Sequence, residues 1–281
     1  MKTLIEILDL SSEHLKKKGV SEPRLSAELL ICFALKIKRL DIYLQYDRIL
    51  TEAETSLIRN YLRRRSDHEP VQYITGRTEF YGLMFKVDRN VLIPRQDTEV
   101  LVSYAAELIG QKDLRVLEIG TGSGCIAVSL AHVCKNISVT ATDISQKALD
   151  VASENARLNK INNRINFIKH DILTQIMNER YDVIISNPPY IMKKTIQTLD
   201  PQVTEFEPLI ALTDGGDGLA FYRRIETIIP EILKPGGMLF LEIGYDQAEK
   251  VTDIYKKSLE NISVTRDLSD NPRVFSGILK A

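Results

Sequence analysis

The chain has 281 residues, 44% hydrophobic and 27% charged, an ordinary globular composition with room for one large domain and a smaller one. Lysine plus arginine against aspartate plus glutamate gives 37 − 38 = −1; no global field attracts polyanions, which argues against a non-specific nucleic-acid binder. Cys32, Cys125 and Cys134 have neither a paired metal spacing nor a disulfide framework, which fits a reducing compartment.

The first ten residues contain Glu6 and Asp9, so they lack the apolar core of a signal peptide. No uncharged stretch reaches the ~18–20 residues that span a bilayer. A cytoplasmic protein that makes no use of a membrane is expected. Residues 1–68 read as a small helical domain. Leu4, Ile7 and Leu8 recur at helical spacing, as do Leu25, Leu29, Leu30 and Phe33. Ser21 is placed to cap the second helix, with Pro23 in its first turn. Thr51 is placed to cap a third, which opens on Glu52 and Glu54 and closes on Arg63, Arg64 and Arg65, charges that suit the two ends of the helix dipole. That arginine run is either a solvated helix end, the commoner case, or a docking surface for a protein partner or RNA.

Residues 69–96 read as a β-hairpin linker. Glu69-Pro-Val-Gln-Tyr-Ile-Thr-Gly76 is broken by Pro and Gly, and Glu79 to Val87 reads as two short strands turning at Gly82. From residue 97 to 281 strands alternate with helices. Strands are expected at Leu114–Ile119, Ser138–Thr142, Ile165–Lys169, Asp182–Ser186 and Met238–Ile243, with two more closing the chain. A helix such as Gln146 to Asn159 lies between them. The pattern predicts an α/β fold: a doubly wound, mostly parallel sheet covered on both faces, with ligands beyond the carboxyl ends of its strands.

Glu118-Ile-Gly120-Thr121-Gly122-Ser123-Gly124 joins the first of these strands to a helix. The glycines allow a tight turn and close approach of a ligand to the backbone. Their spacing is G-x-G-x-G, whereas a dinucleotide pyrophosphate usually takes G-x-G-x-x-G. With Glu118 before it, this loop resembles the S-adenosylmethionine loop of class I methyltransferases. Asp143 ends the next strand, where an acid accepts ribose hydroxyls. Asp171 ends the third, with Ile172 beside it to pack on an adenine; a turn cap is the plain alternative for Asp171.

Asn187-Pro188-Pro189-Tyr190 follows the fourth strand. Two prolines stiffen the loop and remove two backbone donors, so it presents acceptors: the Asn187 side-chain oxygen and the Pro188 carbonyl. Tyr190 adds a flat apolar face. An amide or aromatic NH₂ is a poor nucleophile because its lone pair is delocalised. Two acceptors on its N–H groups orient it and favour the pyramidal nitrogen of the transition state. The residues alone therefore point to methylation of a planar NH₂, with no metal and no histidine base.

From end to end the chain resembles the PrmC (HemK) family of peptide chain release factor glutamine-N5 methyltransferases. The resemblance is carried by Glu69 to Gly76, the hairpin, Leu92 to Glu99, Glu207-Pro208, Ala211-Leu212, Gly215 to Leu219 and Glu242-Ile-Gly244. The family usually has a second proline where this chain has Gln96, a departure expected to soften the turn without touching the chemistry. The resemblance implies a Rossmann-like class I methyltransferase domain with seven strands, a small N-terminal helical domain that recognises the substrate, and a hairpin linker. It implies S-adenosylmethionine as cofactor, held by Glu118, Gly120, Thr121, Gly122, Ser123, Gly124, Asp143, Asp171, Ile172 and Asn187. The substrate would be the glutamine of the Gly-Gly-Gln motif in class-1 release factors, held by Asn187, Pro188, Pro189 and Tyr190. The same resemblance suggests a monomer, and the near-neutral charge leads us to expect no stable nucleic-acid binding.

Four rivals are weaker. A glutamine methyltransferase of a ribosomal protein shares the catalytic loop and differs only in surface. An adenine-N6 or other nucleic-acid amino methyltransferase uses the same tetrapeptide on a flipped base, against which stands the near-neutral charge. An NAD-dependent oxidoreductase conflicts with the glycine spacing, and an idle binding module has no need of the intact Asn187 and prolines.

Overall fold

Helix ends organise the N-terminal part of the computed structural model, which describes residues 2–281. Thr3 and Thr51 each form a capping box, with Glu6 and Glu54, at the starts of α1 (Leu4–Lys17) and α4 (Glu52–Ser66). Each box satisfies two backbone donors that the first helical turn leaves unpaired. Between them, α2 (Pro23–Leu35) does not take Ser21 as its cap: the N-cap is Glu22, in a left-handed conformation and without a side-chain bond. Pro23 stands at the first helical position and has no N–H to satisfy, so the cap shifts next to it. α3 (Arg39–Leu44) and α5 (Val71–Thr75) complete this group. Leu4, Leu8, Leu30, Ile31, Ile58 and Ile74 are among its buried core.

The arginine run is largely structural. Arg65 is 3% exposed; its Nη1 donates to the carbonyls of His68 and Glu69, and its Nε to Ser26 Oγ. Arg64 forks onto Glu69 at 2.7 and 2.8 Å. These two guanidiniums satisfy carbonyls and a carboxylate at the end of α4, which leaves only Arg63 of the three as a solvated charge. The helical unit reaches Gly76, not residue 68, because α5 sends Ile74 into its core.

The second unit begins with the hairpin, β1 (Arg77–Phe80) and β2 (Leu83–Lys86). Phe80 and Phe85 are buried in this unit's own core, edge to face at 6.0 Å. The hairpin is thus a packed part of the larger unit and not a free linker: two large aromatic side chains hold it there. The chain continues through α6 (Thr98–Ile109), β3 (Arg115–Ile119), α7 (Cys125–Val133), β4 (Ser138–Asp143), α8 (Gln146–Leu158), β5 (Ile165–Lys169) and β6 (Tyr181–Ser186). The short α9 (Pro201–Thr204) lies in a segment, Asp200–Phe206, that groups with the first unit. α10 (Ala220–Ile232), β7 (Leu233–Glu242), α11 (Ala248–Tyr255), β8 (Leu259–Arg266) and β9 (Pro272–Leu279) follow.

Among the described residues, seven strands form one sheet in the order β5-β4-β3-β6-β7-β9-β8, with β9 antiparallel to both neighbours. Alternate residues face opposite sides. Val116, Val183 and Phe240 enter the core with α6, α7 and α8; Leu117, Ile184 and Leu239 enter the other with α10 and α11. The winding reverses between β3 and β6, which opens a crevice beyond their carboxyl ends. Among the described residues no helix is long and apolar enough to cross a membrane.

Candidate functional site

That crevice holds a cavity of about 390 Å³, within the range of small-molecule sites. Loops from four successive strand ends wall it: Gly120–Ser123 after β3, Asp143 at the end of β4, His170–Leu173 after β5 and Ser186–Pro189 around the end of β6. The glycine loop is drawn onto β4, since Gly120 N and Thr121 N both donate to Thr142 O, at 2.9 and 2.8 Å. Gly124, at the start of α7, has φ 80°, and a Cβ there would lie 3.0 Å from Ala152 Cβ; only glycine lets α8 pack so close. Asn155 of α8, 0% exposed, ties loop to hairpin: Nδ2 donates to the carbonyls of Ser123 and Lys86, and Oδ1 accepts from Lys86 N.

Asp143 accepts from Gly122 N on one oxygen and Ser145 N on the other, each at 2.9 Å. Burial raises its pKa, opposed by these backbone bonds. Asp171 accepts from Leu173 N at 3.0 Å and Thr174 Oγ1 at 2.8 Å, so it pins its own turn while standing on the cavity wall. Ile172 is 5% exposed and on the same wall.

Glu118 is 0% exposed and lies behind the loop, outside the cavity lining. Its Oε2 accepts from Thr121 Oγ1 at 2.5 Å, and Oε1 has no partner. Burial pushes this carboxyl up to about 8, against the Thr121 hydroxyl and with help from Asp143. The folded state therefore keeps a proton that the unfolded chain releases near 4.5, and stability contributed by this site is lost as pH rises through that window toward about 8. Glu118→Gln is expected to lose less stability than the parent between those limits. Denaturant midpoints across pH measure it; parallel curves for the two proteins would show that Glu118 is not buried as described.

At the end of β6, Ser186 Oγ donates to Ile119 O at 2.7 Å and locks the two central strand ends together. Asn187 Nδ2 donates to Thr98 Oγ1 at 3.2 Å. Asn187, Pro188 and Pro189 line the cavity; Tyr190 does not. Its hydroxyl donates to Glu242 Oε1 at 3.1 Å, and its carbonyl accepts from Gln247 Nε2 at 3.0 Å. The flat face expected of Tyr190 thus stands behind the wall, because a largely buried phenol takes up a polar partner. Phe221 is the aromatic side chain on the wall.

Two further clamps shape the cavity. Buried Glu207 pairs with Arg95 and accepts from Ile93 N at 3.2 Å. That joins Leu92, Pro94 and Arg95 to Pro208 and Ile210 at the wall. Asp214 gathers the N–H groups of Gly216, Gly218 and Ala220, which sets the Gly215–Leu219 turn against the Tyr190 carbonyl.

Ten expected site residues therefore meet at one cavity: Gly120, Thr121, Gly122, Ser123, Asp143, Asp171, Ile172, Asn187, Pro188 and Pro189. Glu118, Gly124 and Tyr190 support it from behind. Thr98, Asn155, Glu242 and Gln247 carry the supporting hydrogen bonds and have no sequence signal for that role.

Comparison with known proteins bears on the family and the fold. A family model described as the PrmC N-terminal domain matches residues 6–76, and one described as the methyltransferase small domain matches 96–205. A release factor glutamine methyltransferase of Fusobacterium nucleatum subsp. nucleatum is 42% identical, across 96% of this chain and 77% of its own length. One of Geobacter sulfurreducens is 40% identical, across 91% and 89%. A methyltransferase from Pyrococcus furiosus, in crystal form, has the same fold with a TM-score of 0.54 over 72% of this chain and 91% of its own, at 17% identity.

Proposed function

Because the chain belongs to the release factor glutamine methyltransferase family, we propose that it transfers a methyl group from S-adenosylmethionine to the side-chain amide nitrogen, N5, of the Gly-Gly-Gln glutamine in class-1 peptide chain release factors. The observation that carries this reading is the polarity of Asn187. Its NH₂ is engaged by Thr98, so its oxygen is the group left to the cavity, beside two prolines that bring no competing backbone donor.

The residues present fit the cofactor. Asp143 accepts from the backbone N–H groups of Gly122 and Ser145, with that of Ile144 also bearing on it, and a carboxylate has about four acceptor positions, so it retains capacity for a ribose hydroxyl. The Gly120–Ser123 backbone offers close approach, and Ile172 offers an apolar wall for a base. When bound, S-adenosylmethionine supplies an electrophilic methyl group on sulfur. Asn187 Oδ1 and the Pro188 carbonyl accept the two amide N–H groups of the substrate glutamine. They hold its NH₂ in line for attack and favour the electron-rich, pyramidal nitrogen as it reacts. The departing N–H proton stays on its acceptor hydrogen bond until solvent takes it.

Asp143→Ala is expected to weaken S-adenosylmethionine binding by roughly 1–3 kcal/mol, the range for charge-assisted hydrogen bonds. Titration calorimetry measures this, and unchanged affinity removes Asp143 from the site. The function itself is tested by transfer of a tritiated methyl group to a purified class-1 release factor. Label on the parent substrate and none on its Gly-Gly-Ala variant supports the reading; equal label on both overturns it.

A further inference from the structure

The buried carboxylate of Glu207 joins two stretches of the cavity wall that lie far apart in the chain. Glu207 is 5% exposed. It accepts from Ile93 N at 3.2 Å and pairs with Arg95. Leu92, Pro94 and Arg95 reach the wall from one side of this clamp, and Pro208, Ile210 and Ala211 from the other. Releasing either partner leaves a buried charge unsatisfied, so the clamp holds both stretches in place.

The turn that follows Glu207 is held at its other end as well. Leu209–Ala211 forms a 3₁₀ turn after Pro208. Leu212 O accepts at 2.9 Å from the N–H of Ile191, the residue after Tyr190. The turn therefore runs from the Glu207 clamp to the loop that carries Asn187. It presents two large apolar side chains to water: Leu209 and Ile210 are each 56% exposed, and Ile210 is also on the cavity wall. Scattered singly, such residues need no explanation; paired, fixed and continuous with a cavity, they mark a contact surface.

The layout of the site says what makes that contact. The cofactor elements stand at the ends of β3, β4 and β5, which lie to one side of β6 in the sheet. The turn joins the loop after β6 instead. A glutamine side chain is short, so the backbone that carries it must lie at the mouth when its amide reaches Asn187. Glycines beside it have no side chain to hold that backbone off the rim. We propose that Glu207 is a positioning residue for the protein substrate: it fixes Leu209 and Ile210 as a rim on which the backbone flanking the glutamine lies while the amide enters. The inference rests on the glutamine methylation reading above.

Ile210→Ala removes the contact without disturbing a buried group. KM for release factor should rise about tenfold, the scale of one apolar side chain's burial. kcat should stay near the parent's, because such a contact is made equally before and during the reaction. Glu207→Ala, which frees the rim, should raise KM at least as much. The double variant Glu207→Ala with Ile210→Ala should show no further rise, since the first change acts through the second residue. If Glu207→Ala fails to fold, Glu207→Gln takes its place: it keeps an acceptor for Ile93 N and loses the charge that pairs Arg95. Independently of activity, hydrogen-exchange mass spectrometry should find residues 92–95 and 208–212 exchanging faster in the Glu207 variant than in the parent. Parent-level KM in Ile210→Ala overturns the proposal. So does a double variant whose KM rise is the product of the two single rises, or a Glu207 variant whose rise in KM is matched by an equal loss of S-adenosylmethionine affinity. A parent that binds S-adenosylmethionine yet leaves release factor unmethylated overturns the proposed substrate instead; the exchange comparison still judges the clamp, and equal exchange in parent and variant overturns it.

Discussion

Replacing Asn187 by alanine is expected to lower kcat for methyl transfer about 10²- to 10³-fold, the loss seen when one preorganised polar group at a reacting centre is removed. The reason lies in what the side chain does. Its Nδ2 is held by Thr98, so the amide cannot rotate to offset a lost contact. Its oxygen is presented to the cavity at the end of β6, where Ser186 is fixed to Ile119 of the neighbouring strand. Alanine removes the acceptor and leaves the loop backbone to its prolines. Cofactor affinity should fall much less, because Asp143, Ile172 and the glycine loop stand on other strands. Single-turnover kinetics with calorimetry separate the two effects. Turnover equal to the parent's would sink the acceptor role, and a loss confined to cofactor affinity would move Asn187 into the cofactor site alone.

Gly218→Ala should be the most damaging single methyl group in the second unit. Gly218 has φ +77°, and a Cβ there would lie 2.1 Å from the Tyr190 carbonyl oxygen and 3.0 Å from Gln247 Nε2. The left-handed conformation alone costs about 1–2 kcal/mol with a side chain. The clash is with backbone, so relief requires moving either the Asp214-held turn or the Asn187–Tyr190 loop. Gln247 binds the Tyr190 and Gly218 carbonyls together, so neither moves alone. A total destabilisation above about 3 kcal/mol is expected, the tail reached by overpacking at a special φ. Denaturant unfolding measures it. The folded fraction should also turn over slowly, since the displaced loop carries Asn187. A stable and fully active Gly218→Ala would mean that the two loops are not packed as described.

Much of the fold was legible because its signals are local. β5 runs Ile165–Lys169, the range expected from the sequence, and Thr51 caps its helix with Glu54 three residues on. The glycine loop and the Asn-Pro-Pro segment were legible for the same reason: each is a run of neighbours whose backbone limits can be read directly. β7 was less so. It begins at Leu233 rather than Met238 and takes in Pro235-Gly236-Gly237. Pro and Gly usually interrupt strands, yet the register shift opposite Tyr181 and Val183 accommodates them within this one.

The supporting bonds were not legible, because their partners are far apart in the chain. Asn187 and Thr98 are separated by 89 residues, Tyr190 and Glu242 by 52, and Asn155 and Lys86 by 69. A buried polar side chain satisfied across such distances has no periodicity to announce it. Tyr190 shows the same limit: the residue type was informative, but whether its ring or its hydroxyl would act depended on a carboxylate on another strand.

The most direct measurement is fragment-ion mass spectrometry of a class-1 release factor after incubation with this protein and S-adenosylmethionine. One added CH₂ unit on the Gly-Gly-Gln glutamine, placed on its side-chain nitrogen, is the expected result. A modification on any other residue, or none while S-adenosylmethionine is bound, would contradict the proposed substrate and direct the search to ribosomal protein and nucleic-acid amino groups.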